Sequence, residues 1–296
     1  MNKLKEKMTE KYMHRYPQLG LPIKEGMSKS QEYKNVVLRG QKPVEYTDFF
    51  IGSDQDQVYR VDTPAGEAEI LYFAVREDFE RAVRCLAYKC ENRAIPASMG
   101  AMTIAGIINW EKIRKHKEAY LQSGKTDWQA EFKRFTSIPG NYKDRLVLVS
   151  KGGYSGLSAK DLEYDRTEWE KLSLEIRIYH ELCHVVCRTL FPEKKNAVQD
   201  EIVADAFGIL KAKGYYDTDL ARKCLGIWDG IYREGGRLEN YMQEGENPEK
   251  YMEYVKKTIV DIEKFLNQVS EEPYWERLIL LEKNLPGKGK TVHNRR

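Results

Sequence analysis

The chain has 296 residues, 41% of them hydrophobic and 32% charged, with a formal net charge of +3. That length holds one large domain or two modest lobes, each with its own core. So small a charge names neither a nucleic acid nor a membrane as partner, and the basic excess is local, in the first forty or so residues and in Lys288, Lys290, Arg295 and Arg296.

The start, MNKLKEKMTEKYMHRY, alternates charged and apolar residues and lacks the continuous apolar run of a secretory signal. Five cysteines, with no CxxC pair among them, suit a reducing compartment, so a cytoplasmic protein is expected. Residues 1 to about 66 are punctuated by Pro17, Pro22, Pro43 and Pro64 and predict short elements and loops. Glu69 to Arg76 (EILYFAVR) reads as a strand, and EDFERAVRCLAYKCE behind it places Phe79, Val83, Leu86 and Ala87 at helical spacing. The uncharged stretch Ala94 to Trp110 carries Pro96, Ser98, Gly100, Gly106 and Asn109, which dilute it, so a buried segment is expected rather than a membrane span. Helices are predicted through Ile107, Trp110 and Ile113 and around Trp128 to Phe135, then a second strand, RLVLVS, at Arg145 to Ser150, closed by Gly152-Gly153.

From there the pattern is almost wholly helical. Thr167 with Glu170 reads as a capping box, and Trp169, Leu172, Ile176, Tyr179, Leu182 and Val186 keep one helical stripe until Pro192. Asn196 with Gln199 is expected to open a second helix that ends at Gly214, and a third is predicted over Asp219 to Arg233. Asn247-Pro248 opens a long one to about Val269. The expected organisation is an α+β lobe over 1–160, a helical lobe over 161–285 and a basic disordered tail over 286–296.

His180-Glu181-Leu182-Cys183-His184 is an HExxH motif in mid-helix. Four residues advance a helix by about 400° and 6 Å, so both imidazoles leave one face and can share a zinc ion. Glu181 lies about 100° around from His180, beside the metal, where it can accept a proton from water. Glu201 and Asp205 repeat the four-residue spacing on the next helix. If the two helices run antiparallel across the turn, His184 and Glu201 lie about 9 and 7.5 Å below it, and His180 and Asp205 about 15 and 13.5 Å. Glu201 is thereby matched in depth to His184, and Asp205 to His180, whose second N–H it can accept. His14 and His116 stand among charges and read as surface residues. Cys187, seven residues after His180, is the one candidate for a fourth ligand in a purely structural site, but its short side chain makes the reach difficult.

HELCH followed by EIVAD resembles the gluzincin metallopeptidases, the thermolysin-like group with HExxH and a downstream ExxxD. The resemblance covers about 45 residues, ending at Gly214. It implies a zincin-like fold (a small mixed sheet packed on the HExxH helix) and one Zn²⁺ held by His180, His184 and Glu201. It also implies Glu181 as general base, Asp205 supporting a ligand histidine, and a peptide or protein substrate laid along an exposed strand, for which RLVLVS with Gly152-Gly153-Tyr154 is the candidate. The ExxAD form is similar as well to small intracellular regulatory metallopeptidases, so the subfamily stays open. Thermolysin-like enzymes use further His and Tyr side chains on the oxyanion, whereas here only His293 follows Glu201. Tyr154, Tyr215 and Tyr216 are the candidates for an oxyanion or substrate contact. The alternative function is a catalytically weak zinc-binding regulatory or peptide-binding protein.

Overall fold

The computed structural model describes residues 11–44, 53–193, 197–242 and 247–285. The chain is a mixed α+β protein, 56% helical with a small mixed sheet. Its described residues form two compact units, one made of those up to Arg60 with Glu69–Lys151, the other of Val61–Ala68 with those from Gly152 onward. Tyr154 therefore belongs with the metal motif, in the second unit. Residues 286–296, the expected basic tail, and Asn196, the expected helix start, lie outside the described residues. Among the described residues no helix is long and apolar enough to cross a membrane.

The four-stranded sheet, of which all but residues 61–63 and 66–68 belong to the first unit, is ordered β1 (Gln57–Thr63), β2 (Gly66–Phe73), β4 (Lys143–Ser150), β3 (Ala101–Ile108). β2 and β4 are parallel, with Ile70 opposite Val147, and β3 is antiparallel to β4, with Thr103 opposite Val147. Helix α1 (Arg76–Leu86) packs Phe79 and Val83 into a core with Leu71, Phe73, Leu146 and Leu148. Helices α2 (Trp110–Gln122) and α3 (Trp128–Thr136) follow β3 and precede β4, each capped by its preceding Asn109 or Asp127 side chain.

Two expectations change here. The uncharged stretch is not the expected buried segment; its second half is β3, an outer strand that is largely half-exposed and bulged at Gly106 (φ +80°), so Ile107 belongs to the strand and the helix expected through it begins at Trp110. RLVLVS is not an exposed strand, because β4 is hydrogen-bonded on both sides and Leu146 to Val149 are buried. With no free edge it cannot take a substrate as an added strand.

In the second unit α4 (Arg166–Leu190) and α5 (Ala197–Lys213) form the central pair. The cap of α4 is Asp165, whose carboxylate accepts from the Thr167 and Glu168 amides, so the helix starts ahead of the expected Thr167 box. Ile176, Cys183 and Val186 of α4 meet Ile202, Val203, Ala206 and Phe207 of α5 in the core. Helix α6 (Thr218–Cys224) is far shorter than the expected 219–233 helix. A two-stranded hairpin of β5 (Ile227–Trp228) and β6 (Ile231–Tyr232) replaces the rest, turned at Asp229-Gly230, both at positive φ. A 3₁₀ turn at Arg237–Tyr241 leads on, and α7 (Pro248–Gln268), capped by Asn247, and α8 (Tyr274–Asn284) close the unit. Val255, Ile259 and Ile262 of α7 and Leu278 and Leu281 of α8 belong to the same core.

Candidate metal centre

Helix α5 is buried on nearly every side from Val198 to Leu210, so carboxylates at Glu201 and Asp205 are costly there unless they are partnered. Both are partnered by α4. Glu201 Oε2 lies 3.4 Å from His180 Nε2, and Glu201 Oε1 lies 3.3 Å from His184 Nε2. The two Nε2 atoms are 3.1 Å apart, with the rings edge to face at 86°. Asp205 Oδ1 stands 2.9 Å from His180 Nδ1, on the opposite edge of the ring. His180, His184 and Glu201 thus present three donor atoms within 4.8 Å of one another and could hold a metal ion. Both histidines are buried, while the Glu201 side chain keeps 19% of its surface exposed, so the group is reachable from solvent.

The electrostatics follow from this packing. Burial opposes a charge on His180, yet hydrogen bonds and charges from Asp205 and Glu201 outweigh it and raise the imidazole to about 9 in the metal-free protein. Burial likewise works against ionised Glu201, and the hydrogen bonds from His180 and His184 reverse it, holding the carboxyl well below its usual range. Asp205 is also lowered against its burial, chiefly by the charge of Arg237 and the hydrogen bond from His180.

A family model described as "Family of unknown function (DUF7005)" matches residues 2–280. The chain belongs to that family. No curated protein and no solved structure matches it. Family membership therefore names no activity, and the chemistry of this DUF7005 chain has to be read from the side chains themselves.

The sequence-predicted residues fall out unevenly. His180, His184 and Glu201 come together, with Asp205 behind His180. Glu181 follows His180 in α4 and is half-buried. Tyr154 does reach the centre, but on its far side. Its hydroxyl donates to Asp205 Oδ1 at 2.5 Å and sits 2.8 Å from His180 Nδ1, away from the Nε2 edge that faces the donors. Buried there, it orients the imidazole and cannot touch an oxyanion formed at the Nε2 side. Tyr215 is 56% exposed and lies against Lys213, and Tyr216 is buried in the core; neither hydroxyl bonds a donor residue among the described residues. Cys187 faces Cys183 Sγ at 3.9 Å and Glu282 Oε1 at 3.6 Å, so it adds no fourth donor. His116 pairs with Glu131 at 2.6 Å in the first unit.

Two residues escaped the sequence reading. Tyr241 donates to Glu201 Oε2 at 3.0 Å, and Arg237 forms an ion pair with Asp205 Oδ2 while also donating to Tyr154 Oη at 3.1 Å. Both come from the 3₁₀ turn, and their only sequence signal is a spacing of four that mirrors Glu201 and Asp205.

Proposed function

We propose that the protein is a zinc-dependent metallohydrolase that hydrolyses peptide bonds, with His180, His184 and Glu201 as the zinc donors and Glu181 as the general base. One observation carries the reading. Donors about 2.0–2.1 Å from a tetrahedral ion stand about 3.3–3.4 Å from one another. Here the two imidazole Nε2 atoms are 3.1 Å apart and each faces its own Glu201 oxygen, Oε1 at 3.3 Å from His184 and Oε2 at 3.4 Å from His180, and one atom from each residue lies within 4.8 Å of the others. Two imidazoles and one carboxylate are also the donor set that catalytic zinc sites use, with one position left for water or substrate.

Held there, zinc supplies Lewis acidity and brings the pKa of water down to about 7. The protein's own groups do the rest. Asp205 accepts the Nδ1 proton of His180, which leaves the Nε2 lone pair directed at the donor cluster. Glu201 brings the single negative charge of the cluster, and Tyr241 holds one of its oxygens. Glu181 offers a carboxylate oxygen that takes a proton from the attacking water and delivers it to the nitrogen of the departing amine. The zincin-like assignment of the fold belongs to the same proposal, supported by the antiparallel α4–α5 pair and the small mixed sheet.

The test is Glu181→Gln. It should retain stoichiometric zinc and lose peptide hydrolysis by about 10²–10⁴-fold. Undiminished turnover in that variant removes the mechanism. A wild-type protein that binds zinc yet cleaves nothing in a random peptide library would leave the regulatory, peptide-binding alternative instead.

A further inference from the structure

We propose that Arg237 is a positioning residue of the metal centre, fixing Asp205 against His180 so that affinity for zinc depends on a side chain that touches no donor atom. The proposal rests on the reading of His180, His184 and Glu201 as zinc donors.

Asp205 is 1% exposed and sits in an otherwise apolar stretch of α5. A carboxylate so far from water needs an opposite charge as well as hydrogen bonds. Its Oδ1 accepts from Tyr154 Oη and from His180 Nδ1, which leaves Oδ2 for Arg237 Nη2. The other terminal nitrogen, Nη1, donates to Tyr154 Oη at 3.1 Å and to Ser155 Oγ at 3.0 Å. One guanidinium thus holds both groups that face His180 Nδ1, and a planar fork fixes the plane of the carboxylate as a single ammonium cannot. With Arg237 removed, Oδ2 is left without that partner, the carboxylate can turn, and the imaginary line from His180 Nε2 to the donor cluster loses its fixed direction.

The turn that carries Arg237 is itself held to the fold by close backbone packing. A Cβ on Gly226 would lie 2.7 Å from the Gly236 Cα, and one on Gly236 would lie 2.9 Å from the Gly226 Cα, so the two strands of chain touch without side chains between them. The Leu238 amide adds a hydrogen bond to the Leu225 carbonyl at 3.1 Å. Arg237 and Tyr241, four apart, then meet Asp205 and Glu201, four apart, one to one. A single element clips Glu201 and Asp205 together.

The experiment is a zinc titration against a competing chelator on the full chain, for wild type, Arg237→Gln, Arg237→Lys and Tyr154→Phe, with thermal melts of the metal-free proteins in parallel. Loss of a side chain behind a ligand costs about 10–100-fold in metal affinity. Arg237→Gln should therefore bind zinc about tenfold more weakly, Arg237→Lys should recover part of the loss, and Tyr154→Phe should lose less than Arg237→Gln. If Arg237→Gln fails to fold, Tyr154→Phe and Arg237→Lys still read the same linkage. Affinities within twofold of wild type in all variants that fold, with only the melting temperature lowered, would make Arg237 a structural residue and overturn the proposal while leaving the zinc donors standing. A wild-type chain that binds no zinc overturns both.

Discussion

Gly208 offers a direct test of how tightly the two helices of the centre are joined. A Cβ added there would lie 2.6 Å from the Ile176 carbonyl oxygen and 3.1 Å from its Cγ2. Reaching the shortest ordinary contact of 3.4 Å requires α4 and α5 to part by about 0.8 Å. The obstacle is helix backbone, so no side-chain rotation relieves it. Overpacking of this kind costs about 1–3 kcal/mol. Alanine returns up to about 1 kcal/mol through its better helix propensity. A severe backbone contact argues for the upper part of the range, hence a net loss near 2 kcal/mol. At about 2–4 °C per kcal/mol for a protein of this size class, Gly208→Ala should melt about 4–8 °C below wild type. Because Gly208 lies three residues after Asp205 and Ile176 four before His180, the same separation stretches the 2.9 Å contact between Asp205 and His180. Zinc affinity should fall by about tenfold alongside the melting temperature. Calorimetry of the metal-free variant with a chelator competition checks both. A variant as stable as wild type would refute the close helix contact from which the donor geometry is derived.

Other expectations follow from the same geometry. Cys187→Ser should leave zinc stoichiometry and affinity unchanged, because Cys187 faces Cys183 and Glu282; loss of zinc by elemental analysis would mean a closed, four-ligand structural site. The metal-free protein should show a pH-dependent stability tied to His180. With the folded imidazole raised from 6.5 to about 9, its contribution is complete below pH 6.5 and is lost as pH climbs through 9. Chemical denaturation from pH 6 to 10 reads that slope, and His180→Ala should flatten it. Zinc competes with the same proton, so zinc affinity should rise over that interval. A zinc affinity independent of pH between 6 and 9 would contradict the ligand role of His180.

Much of the centre was legible because its parts repeat at the helical spacing. His180 with His184 and Glu201 with Asp205 each occupy one face of one helix, and depth below the connecting turn pairs them from spacing alone. The strands EILYF and RLVLVS were readable from their branched and aromatic runs. The role assigned to RLVLVS was not, since whether a strand lies at a sheet edge depends on partners far away in sequence. β3 was hidden because Ala101 to Ile108 mixes small residues with a glycine bulge, and that composition resembles a loop as much as a strand. The predicted helix over 219–233 was carried on to Arg233. It passed over Asp229-Gly230 between two apolar pairs, which is the stronger, hairpin signal. Arg237 and Tyr241 were out of reach for a different reason. They stand on an irregular turn more than thirty residues beyond the carboxylates they hold, and no local periodicity connects the two.

The most direct measurement is anomalous diffraction at the zinc edge from crystals of the purified protein. The expected result is one strong peak between His180 Nε2, His184 Nε2 and Glu201, with no other protein donor. Refined density showing those three side chains turned apart, or a zinc ion seated on other residues while this cluster stays empty, would contradict the proposed centre and the hydrolase reading with it.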